Sequence, residues 1–315
     1  MRICHEIHEI SRIGDQVVVA LGNFDGVHVG HQQLIRAMVA EAKGQKMPSV
    51  VFTFHPHPIK VLFPNKAPGM LTSLRKRSDL IASLGTDCLL VMNFDQQLAR
   101  LSPEYFVNEI LATQLRARAV YVGFNYSFGH RGAGTPDLLQ SMGKNLGIKV
   151  VVFPPVKVGK TVVSSSEVRS AILAGEIEKA RSLLGYWPII DGEVVRGEQR
   201  GRRIGFPTAN IAPAEEILLP PQGVYVARVE VSGEWYDGVV NIGVKPTFGS
   251  GLTQTTEVHI LDFAGNIYGQ NISLFLLKRL RSEMAFSSVE ELKSQIGRDI
   301  ELARHLRPAV LFQQG

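Results

Sequence analysis

Over roughly the first 184 residues, short β-branched runs alternate with stretches whose apolar positions recur at helical spacing. The runs predict strands over 17–21, 49–54, 88–91, 119–122 and 149–153. The intervening periodicity predicts helices over 32–42, 75–84, 103–115 and 136–146, with Leu34, Ile35, Met38 and Val39 marking one buried face. Strands that are apolar on both sides belong in a parallel sheet covered by helices on both faces. Such sheets take their ligands beyond the carboxyl ends of the strands. After Trp187-Pro188 the pattern changes to strands over 224–231, 235–242, 255–261 and 271–277, with Ser232-Gly233 as a tight turn. This half reads as a compact antiparallel barrel or sandwich. It is followed by a helix that opens on Ser288 and Glu291, spaced as a capping box, and carries Val289, Leu292, Ile296, Ile300 and Ala303 on one face. The expected architecture is a doubly wound α/β domain over 1–184 and a small antiparallel β-barrel domain with a C-terminal helix over 185–315. No internal repeat relates the halves, so two different activities are expected.

A chain of 315 residues suits two domains, and 45% hydrophobic with 20% charged residues excludes a disordered or fibrous chain. Lys and Arg exceed Asp and Glu by 34 − 29 = 5, without long basic runs. That balance suits small anionic ligands better than a polynucleotide, so no nucleic-acid partner is expected. Two cysteines, Cys4 and Cys88, are too few for a disulfide framework or a cysteine zinc site. With no signal core and no apolar run near the roughly 20 residues of a membrane span, a cytoplasmic protein without a membrane role is expected. The assembly state is not legible.

Two loops carry the candidate chemistry. After the first predicted strand comes Gly22-Asn23-Phe24-Asp25-Gly26-Val27-His28-Val29-Gly30-His31, which runs straight into a helix. Glycines there permit tight turns and close backbone approach. The helix start offers free N–H groups to a phosphate, and His28 and His31 can donate to its oxygens. A glycine-rich turn with two surface histidines is the alternative reading. Later, Ser164-Ser165-Ser166-Glu167-Val168-Arg169 puts hydroxyls and an arginine at a helix start, which suits phosphate as well as an ordinary cap. Neither a P-loop nor a Gly-x-Gly-x-x-Gly fingerprint is present.

In the second half, the string from Gly197 to Asn210 places Gly201, Arg202 and Arg203 before Gly205-Phe206-Pro207-Thr208-Ala209-Asn210. The loop can wrap polyphosphate, while Thr208 and Asn210 can present oxygens to Mg²⁺. A basic surface hairpin is the alternative. Glu257 alternates with Val258 on a predicted strand, so its carboxylate can enter a cleft and take a proton from an alcohol. His259 reads as a sheet residue.

The first loop resembles the nucleotide-binding signature of the HIGH-motif nucleotidyltransferases, in the form seen in bacterial bifunctional riboflavin kinase/FAD synthetases. Phe52-Thr53-Phe54-His55-Pro56-His57-Pro58, Gly123-Phe124-Asn125-Tyr126-Ser127-Phe128-Gly129 and the 164–169 segment resemble further motifs of that family. In the second half, Gly205 to Asn210, Asn241-Ile242-Gly243, Pro246-Thr247-Phe248, Thr256-Glu257-Val258-His259 and 280–286 follow in family order. The resemblance covers about residues 16 to 306. It implies phosphorylation of riboflavin by ATP to FMN and ADP, then adenylylation of FMN by ATP to FAD and pyrophosphate. The flavins are substrates and products, and Mg²⁺ accompanies ATP.

On the same ground His28, His31, Arg169 and Glu257 are the catalytic candidates, Glu257 as the kinase base. Gly22, Asn23, Phe24, Gly30, Ser164, Ser165, Ser166, Gly201, Arg202, Thr208 and Asn210 would bind nucleotide, Thr208 and Asn210 also metal. Asn125, Arg281, Glu283 and Phe286 would bind flavin. Position 125 is Asn where many relatives carry Asp, and it reads either as a ligand contact or as a loop residue; Lys160 is a weaker phosphate candidate. Two rivals stay open. A nucleotidyltransferase acting on a pantetheine or glycerol phosphate leaves the barrel half unexplained, and the retained site residues argue against a silent flavin-nucleotide sensor.

Overall fold

A computed structural model describes residues 1–197, 200–213, 216–246 and 252–306. The chain divides by its internal contacts into two units, Met1–Pro68 with Leu74–Val163, and Gly69–Ser73 with everything from Ser164 onward. The sequence-based division at 184 and this one place the helices Ser165–Leu173 and Ile177–Leu184 on different sides.

The first unit is built on a six-stranded parallel sheet: β1 Arg2–Cys4, β2 Val17–Leu21, β3 Ser49–His55, β4 Cys88–Asn93, β5 Ala117–Gly123 and β6 Lys149–Phe153, in the order β1-β4-β3-β2-β5-β6. β2 and β6 run as the apolar pattern predicts. β1 escaped it because three residues give no periodicity to read. Alternation along the strands supplies both layers. Val17, Val19 and Leu21 join Val50, Phe52, Phe106, Ile110 and Leu139 in one core. On the other face lies the helix Val29–Gly44, which buries Leu34, Ile35, Met38, Val39 and Ala42. Each of its larger apolar side chains contributes about 1.5–3 kcal/mol by leaving water. The segment expected as one helix over 103–115 starts as a single turn, Pro103–Tyr105, and widens into a π-helix over Phe106–Gln114. Leu115 N accordingly donates to Ile110, five residues back, at 2.9 Å.

Chain order sets the place of the first site. From β2 the chain moves through β3 to β4 on one side, then returns to add β5 and β6 on the other. The carboxyl end of β2 is therefore a topological switch point, where open α/β sheets form their ligand crevice. The loop Gly22–His31 starts there.

A small antiparallel hairpin, β7 Lys157–Val158 and β8 Thr161–Val162, follows β6. The strands of the second unit are β9 Ile189–Val195, β10 Ala209–Ala212, β11 Gly223–Val231, β12 Glu234–Pro246, β13 Leu252–Ile260 and β14 Asn271–Arg281, which form a closed barrel in the order β10-β13-β12-β11-β14-β9. Closure removes open sheet edges. The expected hairpin joins β11 to β12, with Ser232 at φ 52° and Gly233 at φ 88°, the left-handed pair that a two-residue turn needs. Thr256, Val258 and Ile260 point inward against Val240, Ile242 and Ile211.

The closing helix Val289–His305 is capped by Ser288 Oγ, which accepts from Glu291 N at 3.1 Å. Glu291 accepts from Ser287 N and Oγ, not from Ser288 N, so the expected box is shifted by one residue. Asp299 and Ala303 are its buried residues, while Val289 is exposed. Asp299 is buried because Arg281 grips it, donating from Nη2 at 2.8 Å and from Nε at 3.1 Å. The segment Gly69–Ser73 is also part of this unit. Met70 pairs parallel with Ile217, and Ser73 Oγ donates to the buried Asp191 at 2.6 Å.

Candidate functional site

At the end of β2 the backbone folds tightly. A Cβ on Gly22 would stand 3.0 Å from the Phe24 ring, so glycine gives that ring its room beside the strand end. Phe24 at φ 50° and Val27 at φ 35° both sit in the left-handed region, and both side chains are buried. Such backbone costs about 1–3 kcal/mol per residue and is typical of functional loops. The Asn23 carbonyl is held from two sides, by Thr53 Oγ1 at 3.0 Å and Arg77 Nη1 at 2.9 Å.

The turn delivers His28 as the cap of the helix Val29–Gly44, where its Nδ1 accepts from His31 N at 3.2 Å. With Nδ1 used as an acceptor, the proton of neutral His28 resides on Nε2, which is a donor. The His28 and His31 rings stack with centroids 3.6 Å apart, and Phe24 meets His31 edge-on at 5.2 Å. Gly30 makes room for the stack, since a Cβ there would come within 3.3 Å of the His28 ring. Burial first, then repulsion from His28 when it is protonated and from Arg77, holds the His31 imidazole well below the usual histidine range. Its buried Nδ1 has no hydrogen-bond partner among the described residues. The pair thus combines a neutral, desolvated imidazole with a donor at a helix start, an arrangement that receives an anion.

A pH dependence follows. The unfolded chain protonates His31 near pH 6.5 and the native one does not. The stability tied to neutral His31 is therefore intact above about pH 6.5 and declines as pH falls through the window below it. Thermal melts from pH 7.5 to 5.5 should show His31→Gln losing less melting temperature toward acid than the unaltered chain. Parallel slopes would contradict the assignment.

Asn125 lies exposed in the turn after β5, where Tyr126 N donates to Gly123 O at 3.1 Å. Behind it runs a chain of rings, Tyr126, Phe128, Phe106, Phe52 and Phe54, with successive centroids 5.2 to 6.1 Å apart. Lys160 is exposed in the hairpin of β7 Lys157–Val158 and β8 Thr161–Val162. Arg77, in the helix Leu74–Ser83, escaped sequence reading. A helix with Arg75, Lys76, Arg77 and Asp79 in succession looks solvated, yet Lys76 and Arg77 are buried.

In the second unit, Ser164 Oγ caps its helix by accepting from Glu167 N at 3.2 Å, the ordinary role left open above. Ser165 is half-buried and Ser166 exposed at that helix start, and Arg169 Nε donates to Gly69 O at 3.1 Å.

On the barrel, Asn210 of β10, Glu257 of β13 and Asn241 of β12 occupy directly paired positions in adjacent strands. Paired residues share a face, and this row is half-buried on the outside of the barrel, opposite the apolar interior. Thr208 Oγ1 donates to Glu257 Oε2 at 3.5 Å. A Cβ on Gly197 would stand 2.2 Å from Asn210 Nδ2, and one on Gly201 2.3 Å from Phe206 O, so both glycines are required by close approach. Arg202 is exposed in the turn Arg200–Arg203. His259 is spoken for: Nδ1 donates to Pro207 O at 2.7 Å, and Phe206 packs edge-on at 5.7 Å. It anchors the 205–210 loop as a sheet residue. Glu198, Gln199, Thr247 and Phe248 lie outside the described residues.

Beside the row, Glu283 Oε1 accepts from Asn241 Nδ2 at 3.3 Å and lies over Gly243, where a Cβ would stand only 2.5 Å away. Arg281, engaged with Asp299, stands 5.8 Å from the Phe286 ring. Asn241 and Gly243 gained no role from sequence alone, although their alternation on the strand puts them on the Glu257 side. Among the described residues no cluster of three His, Cys, Asp or Glu could hold a metal. The oxygens of Thr208, Asn210 and Glu257 instead suit a hard cation that takes much of its shell from phosphate and water.

Residues 11–167 match the family model described as FAD synthetase, and residues 184–307 that described as riboflavin kinase. The bifunctional riboflavin kinase/FMN adenylyltransferase of Escherichia coli (strain K12) is 38% identical over 306 residues, 96% of this chain and 97% of that protein. Its namesake from Bacillus subtilis (strain 168) is 39% identical over 308 residues, 95% of each. A crystal structure described as a macrolide-efflux protein from Streptococcus pneumoniae aligns with TM-score 0.84 at 32% identity, covering 98% of this chain and all (100%) of that one. No helix among the described residues here is long and apolar enough to cross a membrane. With a doubly wound sheet and a closed barrel each carrying its matched model, over nearly the full length of such relatives, the chain belongs to the bifunctional riboflavin kinase/FMN adenylyltransferase family.

Proposed function

We propose that this protein makes FMN and FAD at two separate sites: the Gly22–His31 loop adenylylates FMN, and the Asn210–Glu257–Asn241 row phosphorylates riboflavin. Adenylylation is assigned to residues 1–184 and phosphorylation to 185–315. The observation that carries the reading is the pair of dissimilar sites, a stacked histidine pair at a switch point and an oxygen-lined row on a barrel.

In the first reaction an FMN phosphate oxygen attacks the α-phosphorus of ATP and pyrophosphate leaves. Two anions must be brought together, so the protein's task is positioning and charge neutralisation. His28 Nε2–H donates to a phosphate oxygen, His31 adds a desolvated imidazole, and the helix start contributes the Gly30 N–H, the His31 and Gln32 amides being taken up by His28. Gly22, Asn23 and Phe24 shape the nucleotide's seat. On the family resemblance alone, Ser164, Ser165, Ser166 and Arg169 would receive the triphosphate, while Asn125 would meet the flavin beside the aromatic chain.

In the second reaction the terminal ribityl hydroxyl attacks the γ-phosphorus. Glu257 takes the hydroxyl proton and ADP leaves. Gly201 and Arg202 wrap the polyphosphate, while Thr208 and Asn210 present oxygens to Mg²⁺, which when bound neutralises charge on the transferring phosphates. Glu283 and Phe286 face the flavin, with Arg281 setting the position of Phe286. The test is to incubate the full chain with riboflavin, ATP and Mg²⁺ and separate the flavins by chromatography. FMN and then FAD are expected, and unchanged riboflavin would favour a flavin-nucleotide sensor.

A further inference from the structure

Val27 is poorly suited to its own backbone. A β-branched side chain resists positive φ more than most, yet Val27 is buried at φ 35°, immediately before the imidazole that caps the helix Val29–Gly44. Two hydrogen bonds oppose its return to ordinary backbone. Its amide donates to Phe24 O at 3.1 Å, and its carbonyl accepts from Gln32 Nε2 at 2.9 Å. Gln32 also donates its own amide to His28 O at 2.9 Å. One residue in the first turns of the helix therefore ties down both carbonyls of the Val27-His28 step.

The chemistry of the clamp is specific. Only a side chain of this length with an N–H donor reaches the Val27 carbonyl from that helical position. Leucine fills a similar volume without donating, and glutamate would bring an acceptor against an acceptor. Loss of the clamp would free Val27 to relax toward negative φ, which turns the following Cα–Cβ vector and with it the His28 ring that stacks on His31.

We infer that Gln32 is a positioning residue for adenylyl transfer: it locks the strained Val27 turn and thereby fixes where His28 Nε2 points. The inference rests on the assignment of His28 to the phosphates in the preceding section. It gives Gln32 no contact with either substrate, and this separates the role from binding. Misplacing a charge-stabilising donor slows the chemical step while leaving the seats for FMN and ATP in place.

The experiment uses the full-length protein and compares Gln32→Leu, Gln32→Glu, Val27→Gly, Val27→Gly/Gln32→Leu and His28→Ala. FMN adenylylation is read as kcat and KM for each substrate, with riboflavin phosphorylation and the melting temperature measured alongside. Gln32→Leu should lower adenylylation kcat by about tenfold or more, with both KM values within about twofold and phosphorylation unchanged. Gln32→Glu should show the same loss. In the Val27→Gly background glycine takes the left-handed turn without the clamp, so adding Gln32→Leu should cost clearly less than it does alone. Full kcat in Gln32→Leu and Gln32→Glu, a rise confined to KM, or losses that simply multiply in the double variant would each overturn the inference. If His28→Ala itself keeps normal adenylylation, the site assignment fails and takes the inference with it. If His28→Ala is slow and both Gln32 variants are not, the positioning role alone fails.

Discussion

Glu257→Gln is expected to lower riboflavin phosphorylation by about 10²–10⁴-fold while leaving FAD formation from supplied FMN intact. The ribityl hydroxyl is a poor nucleophile at neutral pH, and an amide in place of the carboxylate cannot take its proton. The substitution keeps the size of the side chain, so the paired Asn210 and Asn241 stay where the ladder holds them, and the retained side-chain oxygen can still accept from Thr208 Oγ1. Nucleotide and Mg²⁺ binding should persist, because phosphoryl transfer sites depend on positioning and charge neutralisation supplied by several groups together. Thr208→Ala and Asn210→Ala should show the converse, a weaker Mg²⁺–ATP complex. Single-turnover phosphorylation beside Mg²⁺–ATP titration separates the two outcomes. Near-normal phosphorylation by Glu257→Gln would remove the base assignment. His259 would not inherit it readily, since its Nδ1 is committed to the Pro207 carbonyl.

His28→Ala should slow adenylylation of FMN by about two to three orders of magnitude, the usual cost of one preorganised charge-stabilising donor. Riboflavin phosphorylation should stay near its original rate, because the barrel row shares no residue with the histidine stack. The loss should fall on kcat more than on KM if the donor acts as charge develops on the transferring phosphate. Steady-state kinetics of both reactions on the same preparation decides this. An equal loss of both activities in a folded protein would indicate one shared site.

Much of the frame was legible because strong periodicity leaves little choice. The continuous apolar run Val17–Leu21 could only be a strand covered on both sides, and Ser232-Gly233 could only be a tight turn between alternating strands. The site loops were legible for a related reason. Gly197 and Gly201 stand where a Cβ would come to 2.2 Å from Asn210 Nδ2 and 2.3 Å from Phe206 O, and Gly22 and Gly30 leave room for the Phe24 and His28 rings, so they punctuate the sequence where groups must come close. Long-range geometry was not legible. Nothing in the string Leu74-Arg75-Lys76-Arg77 says that the last side chain will be buried against the Asn23 carbonyl, fifty-four residues away in sequence. Likewise, nothing around Arg281 in the sequence says that Asp299, eighteen residues on in the helix Val289–His305, will hold its guanidinium.

The excursion of Gly69–Ser73 bears on how the chain is made and how its gene can be rearranged. Met70 pairs with Ile217, and Ser73 bonds to Asp191, although all of Leu74–Val163 is synthesised in between. During translation this short segment leaves the ribosome well before its partners exist, so the second unit completes its contacts late, through a loop closure of high sequence separation. For the same reason the barrel half is not a cassette. A gene exchange joined at residue 184 or 185 would transplant the strands and the kinase row without the Ser73 hydroxyl on Asp191 or the Met70 carbonyl that receives Leu218 N at 2.8 Å. Chimeras of such proteins would have to carry residues 69–73 from the same parent as the barrel.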